Sequence, residues 1–184
     1  MGENIFIENT KKWVTNIVVG LNFCPFAGQA VLQNKVRYSV EDTGNPETIL
    51  ATLFEECLYL DKHQEIETTL LILSKGVDDW EEYLEIADLG SELLKEQGYE
   101  GIYQLATFHP DYLFEGSRQD DAANYTNRSP YPTLHLIREA SLEEAIGSYP
   151  DVDKIPERNI ALARKLGVAE LVKLYHGDTK IDNR

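Results

Sequence analysis

The sequence is short of cysteine, of positive charge and of long apolar runs, and each shortage removes a class of explanation. Two cysteines, Cys24 and Cys57, in 184 residues are too few for a disulfide scaffold or a structural zinc site, so both are expected as reduced thiols. Lysine and arginine number 17 against 32 aspartates and glutamates, giving a net charge of −15 and a pI near 4.6. No basic stripe offsets this excess, which opposes the phosphate backbone of nucleic acids and anionic membrane surfaces alike. No apolar run approaches the roughly 20 residues of a membrane span. Met1 to Asn9 reads MGENIFIEN, with neither the charged n-region nor the apolar h-region of a signal peptide, and Phe6 stands where a myristoylation signal has Ser or Thr. The expectation is a cytoplasmic chain that binds neither nucleic acid nor membrane.

What is present suits one domain with a substantial core, since 42% of residues are hydrophobic and 10% aromatic. We place that domain at residues 1–177 and a polar tail at 178–184. Thr10 can cap a first helix in which Trp13, Val14, Ile17, Val18 and Leu21 recur at helical spacing. Lys35 to Val40 reads as a strand, and Pro46 to Leu60 as a helix with Ile49, Leu53 and Cys57 on its apolar face. Glu67 to Leu73 is nearly continuous β-rich apolar sequence, the pattern of a central strand covered on both faces. Asp78 or Asp79 caps a helix that Gly98 stops, and a strand from Gly101 to Phe108 follows. Thr133 to Arg138 is a fourth strand. Ser141 to Glu144 spells a capping box, Pro156 opens another helix that Gly167 ends, and a last helical piece reaches Tyr175. The order αβαβαββαα predicts an α/β fold, with α+β as the alternative, built on a single-layer mixed sheet of about four strands with helices packed on it. The early strands are expected parallel; the last two, joined by a loop, are free to pair otherwise.

That loop is the densest run of functional groups in the chain: FHPDYLFEGSRQDDAANYTNRSPYP, Phe108 to Pro132. A connection this long inside a domain is either functional or disordered. Tyr112, Phe114, Tyr125 and Tyr131 favour order, because disordered segments are poor in aromatics. His109 stands at the strand end, where a scaffold presents reactive groups, and converges with His135 if their strands are neighbours; a satisfied core histidine is the alternative for His135. Asp120, Asp121, Asn124 and Asn127 crowd one side of a helical turn. Such oxygen donors suit Mg²⁺, and His109 or Asp111 beside them would suit Mn²⁺ or Zn²⁺, although the spacing matches no EF-hand or HExxH helix. A capping aspartate in a solvated loop is the competing explanation.

Arg118, Arg128 and Arg138 are a basic exception in an acidic chain. With Tyr125 beside them they point to an anionic small molecule, unless they pair with the neighbouring carboxylates merely to hold the loop. Cys24, in Leu21-Asn-Phe-Cys-Pro-Phe-Ala27, is a candidate nucleophile if His109 or Arg128 lies near it, and otherwise a buried structural thiol. Cys57 belongs to the core.

The peptides LNFCPFA, TTLLIL, YQLATFHPDYLFEG, DDAANYTNRSPYPTLHLIREAS and IPERNI resemble the bacterial and plastid family catalogued as domain of unknown function 1415, from about Trp13 to Gly167. The resemblance implies a small intracellular single-domain protein and carries over no mechanism. From the residues themselves, the leading expectation is an enzyme of an anionic metabolite. In it Arg128 and Arg138 hold the anion, helped by Arg118, Asn124, Tyr125 and Asn127. His109 serves as acid or base, Asp111 or Asp121 orients it or binds a metal, and His135 completes the site. With no GxGxxG or P-loop, hydrolysis or group transfer is favoured over hydride chemistry. A non-catalytic module for the same anion is the alternative, and a thiol enzyme using Cys24 a second one.

Overall fold

Strand β2 (Thr68–Leu73) organises the molecule, because five of its six side chains are buried and a strand buried on both faces needs a helical layer on each. The computed structural model describes residues 2–147 and 149–176; the tail expected at 178–184 lies outside the described residues. Strand β1 (Val36–Glu41) pairs with β2 in parallel, while β4 (Thr133–Arg138) lies on its other side, antiparallel, and carries β3 (Tyr103–Phe108) on its outer edge, also antiparallel. This is the four-strand mixed sheet expected, in an order, β1-β2-β4-β3, that the sequence left open. Strands β1, β2 and β3 therefore run one way and β4 the other.

Helices α3 (Pro46–Lys62) and α4 (Trp80–Glu96) cover one face. Their Ile49, Leu53, Leu60, Tyr83, Ile86 and Leu94 pack on Leu71, Leu73, Leu134 and Leu136. The first helix, α1 (Gly2–Trp13), covers the other face with the π-helical turn Val14–Val19, α6 (Ile155–Leu166) and α7 (Val168–His176). There Trp13, Val14, Ile17, Ala163, Leu171 and Leu174 meet Leu70 and Phe108. Short α2 (Ala27–Leu32) and α5 (Glu139–Gly147) complete seven α-helices among the described residues.

Three local expectations are corrected. Thr10 does not cap the first helix: α1 starts at Gly2, and fully buried Thr10 donates its hydroxyl to the Phe6 carbonyl at 2.8 Å. The polar first turns are held by the long loop, where Phe6 meets the Tyr131 ring at 4.8 Å and the Asn9 amide donates to the Tyr131 hydroxyl at 2.8 Å. Tertiary contact here overrides a weak local signal. α2 was not expected, being too short to show a period. Helix α5 begins at Glu139, directly after β4, so Ser141 lies inside it.

The β1–α3 and β2–α4 turns touch at the sheet edge. A Cβ on Gly44 would stand 2.8 Å from the Gly76 Cα, a Cβ on Gly76 equally close to Gly44, and their φ angles are +70° and +72°. Only glycine tolerates both the conformation and the contact. Gly76→Ala is expected to lower stability by about 2–4 kcal/mol, read as the urea midpoint at constant m-value; an unchanged midpoint would mean the turns can separate freely.

Candidate functional site

The carboxyl ends of β1, β2 and β3 share one edge of the sheet, as the pairings Glu41↔Leu73 and Phe108↔Thr133 require. Open α/β sheets bind ligands at this edge. Here it carries turns 42–45 and 74–79 and the loop 109–132. The two turns are already filled by their own side chains. Buried Glu41 accepts from the N–H groups of Thr43 (2.8 Å) and Gly44 (3.3 Å) and from the Thr43 hydroxyl, and Asp79 caps α4 at the Glu81 and Glu82 N–H groups, both at 3.0 Å. Asn45 caps α3 in the same way.

The loop is ordered, and most of its polar groups are spent on making it so. Asn124, fully buried, accepts at Oδ1 from Phe114 N–H (3.1 Å) and the Ser117 hydroxyl (2.8 Å) and donates from Nδ2 to the Arg118 carbonyl (2.8 Å). One side chain thereby replaces the ladder partners that a loop lacks. Asp121 caps the 3₁₀ turn Ala122–Thr126 through Ala123 N–H (2.9 Å) and receives the Arg164 fork from α6 at 3.1 and 2.7 Å. That fork, with the Ala123 N–H, pulls the Asp121 carboxyl down to about 2. Asn127 accepts from the Thr126 hydroxyl (3.1 Å), and Arg118 makes an exposed fork on Asp120 at 2.9 Å for both bonds. Exposed Asp111 lends its N–H to the turn, donating to His109 Nδ1 at 3.0 Å.

His109 is fully buried. Its Nδ1 is thus occupied, and Nε2 stands 3.3 Å from the Val77 carbonyl. With one nitrogen accepting and the other donating, the neutral imidazole is fully satisfied, and burial holds its pKa below the ordinary value. The ring lies against Trp80 at 5.3 Å and Tyr83 at 5.0 Å, on the α3–α4 face. His135 lies on the opposite face, beside Phe108 at 5.9 Å. Thr68 gives its hydroxyl proton to the Leu136 carbonyl, so His135 Nε2 must donate to Thr68 Oγ1. Nδ1 is left as a buried lone pair without a partner, and burial pushes the group down to about 4. The two histidines do not converge although β3 and β4 are neighbours, because side chains alternate across a strand.

Arg138 stands at the far end of β4 from the loop. Its guanidinium donates to the carbonyls of Leu60 (2.7 Å), Ile66 and His63 and to the Tyr103 hydroxyl, closing the end of α3. It does not share a site with Arg128. Cys24 lies half-buried behind Arg158 and Asn159 of α6, which hold the Asn22 and Phe23 carbonyls. Burial raises its thiol pKa, outweighing the Phe26 and Ala27 N–H groups, and neither His109 nor Arg128 acts on it. Cys57 is core, as expected, with its thiol pushed up to about 12.

What remains is Arg128. Its guanidinium lies 4.7 Å over the Tyr125 ring and donates to the carbonyls of Tyr112 (3.3 Å) and Gln119 (3.1 Å). It opens on a cleft of about 210 Å³ lined by Pro110, Tyr125, Arg128, Ser129, Pro130, Val172 and Tyr175. Tyr175 meets Tyr125 edge-on at 5.8 Å, and its hydroxyl is buried beside the equally buried Trp13 indole N–H, neither having a partner besides the other. Burial raises the Tyr175 phenol far above its ordinary range, with Trp13 and Arg128 acting against the rise. Tyr175, Trp13 and Arg164 gave no signal in the sequence because their helical settings marked them only as core or surface, and Ser129, inside the loop, has no charge or ring to single it out. Among the described residues no three His, Cys, Asp or Glu side chains form a group able to hold a metal, and His109, Asp111, Asp120 and Asp121 each have the separate settings given above.

A mixed four-strand sheet between two helical layers, with a long ordered loop on its carboxyl edge, defines an α/β protein whose distinguishing part is that loop. The chain belongs to the family described as protein of unknown function, DUF1415, whose model matches residues 5–173 and so includes every strand and the whole loop. No curated protein and no solved structure matches it.

Two outcomes follow from these contacts. Asn124→Ala leaves the Phe114 N–H and Arg118 carbonyl without their partner and is expected to cost about 2–4 kcal/mol, with faster amide exchange at Phe114; unchanged exchange would show the loop held by other contacts. The second concerns acid. An unfolded histidine takes up its proton near 6.5, whereas folded His135 does so only near 4, so stability is full above 6.5 and falls as the pH drops through that window. His109 acts in the same direction. Between pH 7 and pH 5 the native chain is expected to lose roughly 2 kcal/mol more than His135→Leu; equal losses by urea unfolding would assign the acid sensitivity to other groups.

Proposed function

We propose that the chain is a binding module for a small anionic molecule, seated in the cleft between the loop and α7. Arg128 carries this reading. In a chain of net charge −15, Arg37, Arg118 and Arg164 each meet a carboxylate. Arg128 meets only two carbonyls and an aromatic ring, and among the described residues its third nitrogen, Nη1, has no hydrogen-bond partner. A guanidinium fixed by carbonyls keeps its full charge and a donor for a ligand, and the ring beneath it limits its motion.

The same geometry favours binding over catalysis. His109 has no free nitrogen, His135 lies on the other sheet face, Asp121 is committed to Arg164, and burial keeps the Cys24 thiol from activation. Among these candidates no nucleophile stands beside a base able to take its proton, the arrangement covalent or acid–base catalysis uses. The contacts of Arg118 and Arg138 leave them outside this binding set.

Thermal unfolding in acetate, phosphate and short carboxylates tests the reading, since a ligand of the folded state raises its melting temperature. We expect at least one anion to stabilise the wild type, Arg128→Met to lose that stabilisation and Arg118→Met to retain it. Equal stabilisation of wild type and Arg128→Met would overturn the assignment to this cleft, and turnover in a metabolite screen would replace the module with an enzyme.

A further inference from the structure

The start of α4 reads Val77-Asp-Asp-Trp-Glu-Glu-Tyr83, a tryptophan set among four carboxylates. Capping accounts for part of this, since Asp79 holds the Glu81 and Glu82 N–H groups and acidic residues in a first turn suit the helix dipole. It does not account for the tryptophan. Trp13, the other one in the chain, is buried, whereas Trp80 is only half-buried. The Trp80 indole N–H has no hydrogen-bond partner among the described residues and, unlike that of Trp13, is not a buried atom. Tryptophan is among the residues most enriched where proteins meet.

Trp80 does not stand alone. The Tyr112 ring meets it at 5.1 Å, the Phe114 ring meets Tyr112 at 5.0 Å, and both are half-buried. One turn along α4, Leu84 is 37% exposed. These side chains make an apolar surface on the α3–α4 side of the loop, while the Arg128 cleft opens on the other side, toward α7.

The rim of this surface is negative. Exposed Asp78 and Asp111, one from the turn before α4 and one from the loop, both act on the His109 ring that lies against Trp80. Among the described residues neither carboxylate has a hydrogen-bond or ion partner. The cations that flank these segments in sequence are spent elsewhere, Lys75 on Asp42 and Arg118 on Asp120. In a chain of net charge −15 such a surface repels a second copy and attracts a basic partner. No three described His, Cys, Asp or Glu side chains converge as a metal would require. Rings beside separated carboxylates suit an organic cation instead, with its charge over the ring faces.

We propose that this surface docks a basic segment of a partner protein, with an arginine laid over the Trp80 and Tyr112 rings and its charge met by Asp78 and Asp111. Arginine fits better than lysine because its planar, weakly hydrated guanidinium stacks on an aromatic face. The Trp80 indole N–H is then left to donate to the segment's backbone. This goes beyond the anion cleft and does not depend on it.

The test titrates the full chain, ¹⁵N-labelled, with three amidated octapeptides in which glycine alternates with arginine, lysine or glutamine. Two indole N–H signals are expected, from Trp13 and Trp80, and Trp80→Phe assigns them. The arginine peptide is expected to move the Trp80 signal, to leave that of Trp13 in place and to bind about fivefold more tightly than the lysine peptide, with the glutamine peptide inert. Asp78→Asn combined with Asp111→Asn is expected to weaken the arginine peptide about tenfold. Glu143→Gln combined with Glu144→Gln removes the same charge from exposed positions on α5, at the opposite edge of the sheet, and is expected to weaken it less than about twofold. Equal losses in the two double variants would show attraction to net charge alone and overturn the docking surface. So would an absence of binding, or an unmoved Trp80 signal at saturating arginine peptide, outcomes that need no variant to fold. Equal binding of the lysine or glutamine peptide would overturn the stacked arginine.

Discussion

Six consecutive residues, Thr68–Leu73, impose the plan of the molecule. A strand buried on both sides needs apolar cover above and below, and the chain supplies it from two different parts of its length: α3 and α4 on one face, and α1, α6 and α7 on the other. Burying apolar area at about 25 cal/mol per Å² makes this sandwich the main stabilising arrangement available to a chain of this size. With β2 inside, its open side is taken by β4 rather than β3, and the carboxyl ends of β1, β2 and β3 gather their turns at one edge.

Within the loop, residues with the chemistry of a site mostly serve as internal scaffolding. Asn124 stands in for backbone partners, Asp121 caps a turn and ties it to α6, and His109 bridges its own turn and the one before α4. A segment of 25 residues without regular ladders has to satisfy its buried N–H and C=O groups somehow, and side-chain amides, carboxylates and imidazole do so here. Arg128 differs because its partners are carbonyls rather than a carboxylate, so its charge remains available at the cleft.

The strands, α3, α4 and α6 were legible in the sequence because their signals are local: a caps-and-period pattern for the helices, continuous β-branched and leucine runs for the strands. Sheet order was not, since nothing in Gly101 to Arg138 says that β4 inserts between β2 and β3. The start of α1 was not legible either, because its first turns are stabilised by Tyr131, which is distant in sequence. For the site, the loop itself could be located from composition and length. Its convergences could not. Whether His109 and His135 meet depends on which face each takes, Arg128 and Arg138 are separated by the length of a strand, and Tyr175 reaches the cleft only through the packing of α7.

The sheet order also constrains how the protein assembles during synthesis. Strand β3 leaves the ribosome next to no strand it pairs with: its neighbour in the finished sheet, β4, comes after the loop, and β2 is one place too far. Until Thr133–Arg138 is made, β3 is an unpaired edge and β2 has one bare side, the exposure that promotes misassociation in a nascent chain. A chain ending before β4 could therefore complete neither the sheet nor the cleft, and α7 closes both last.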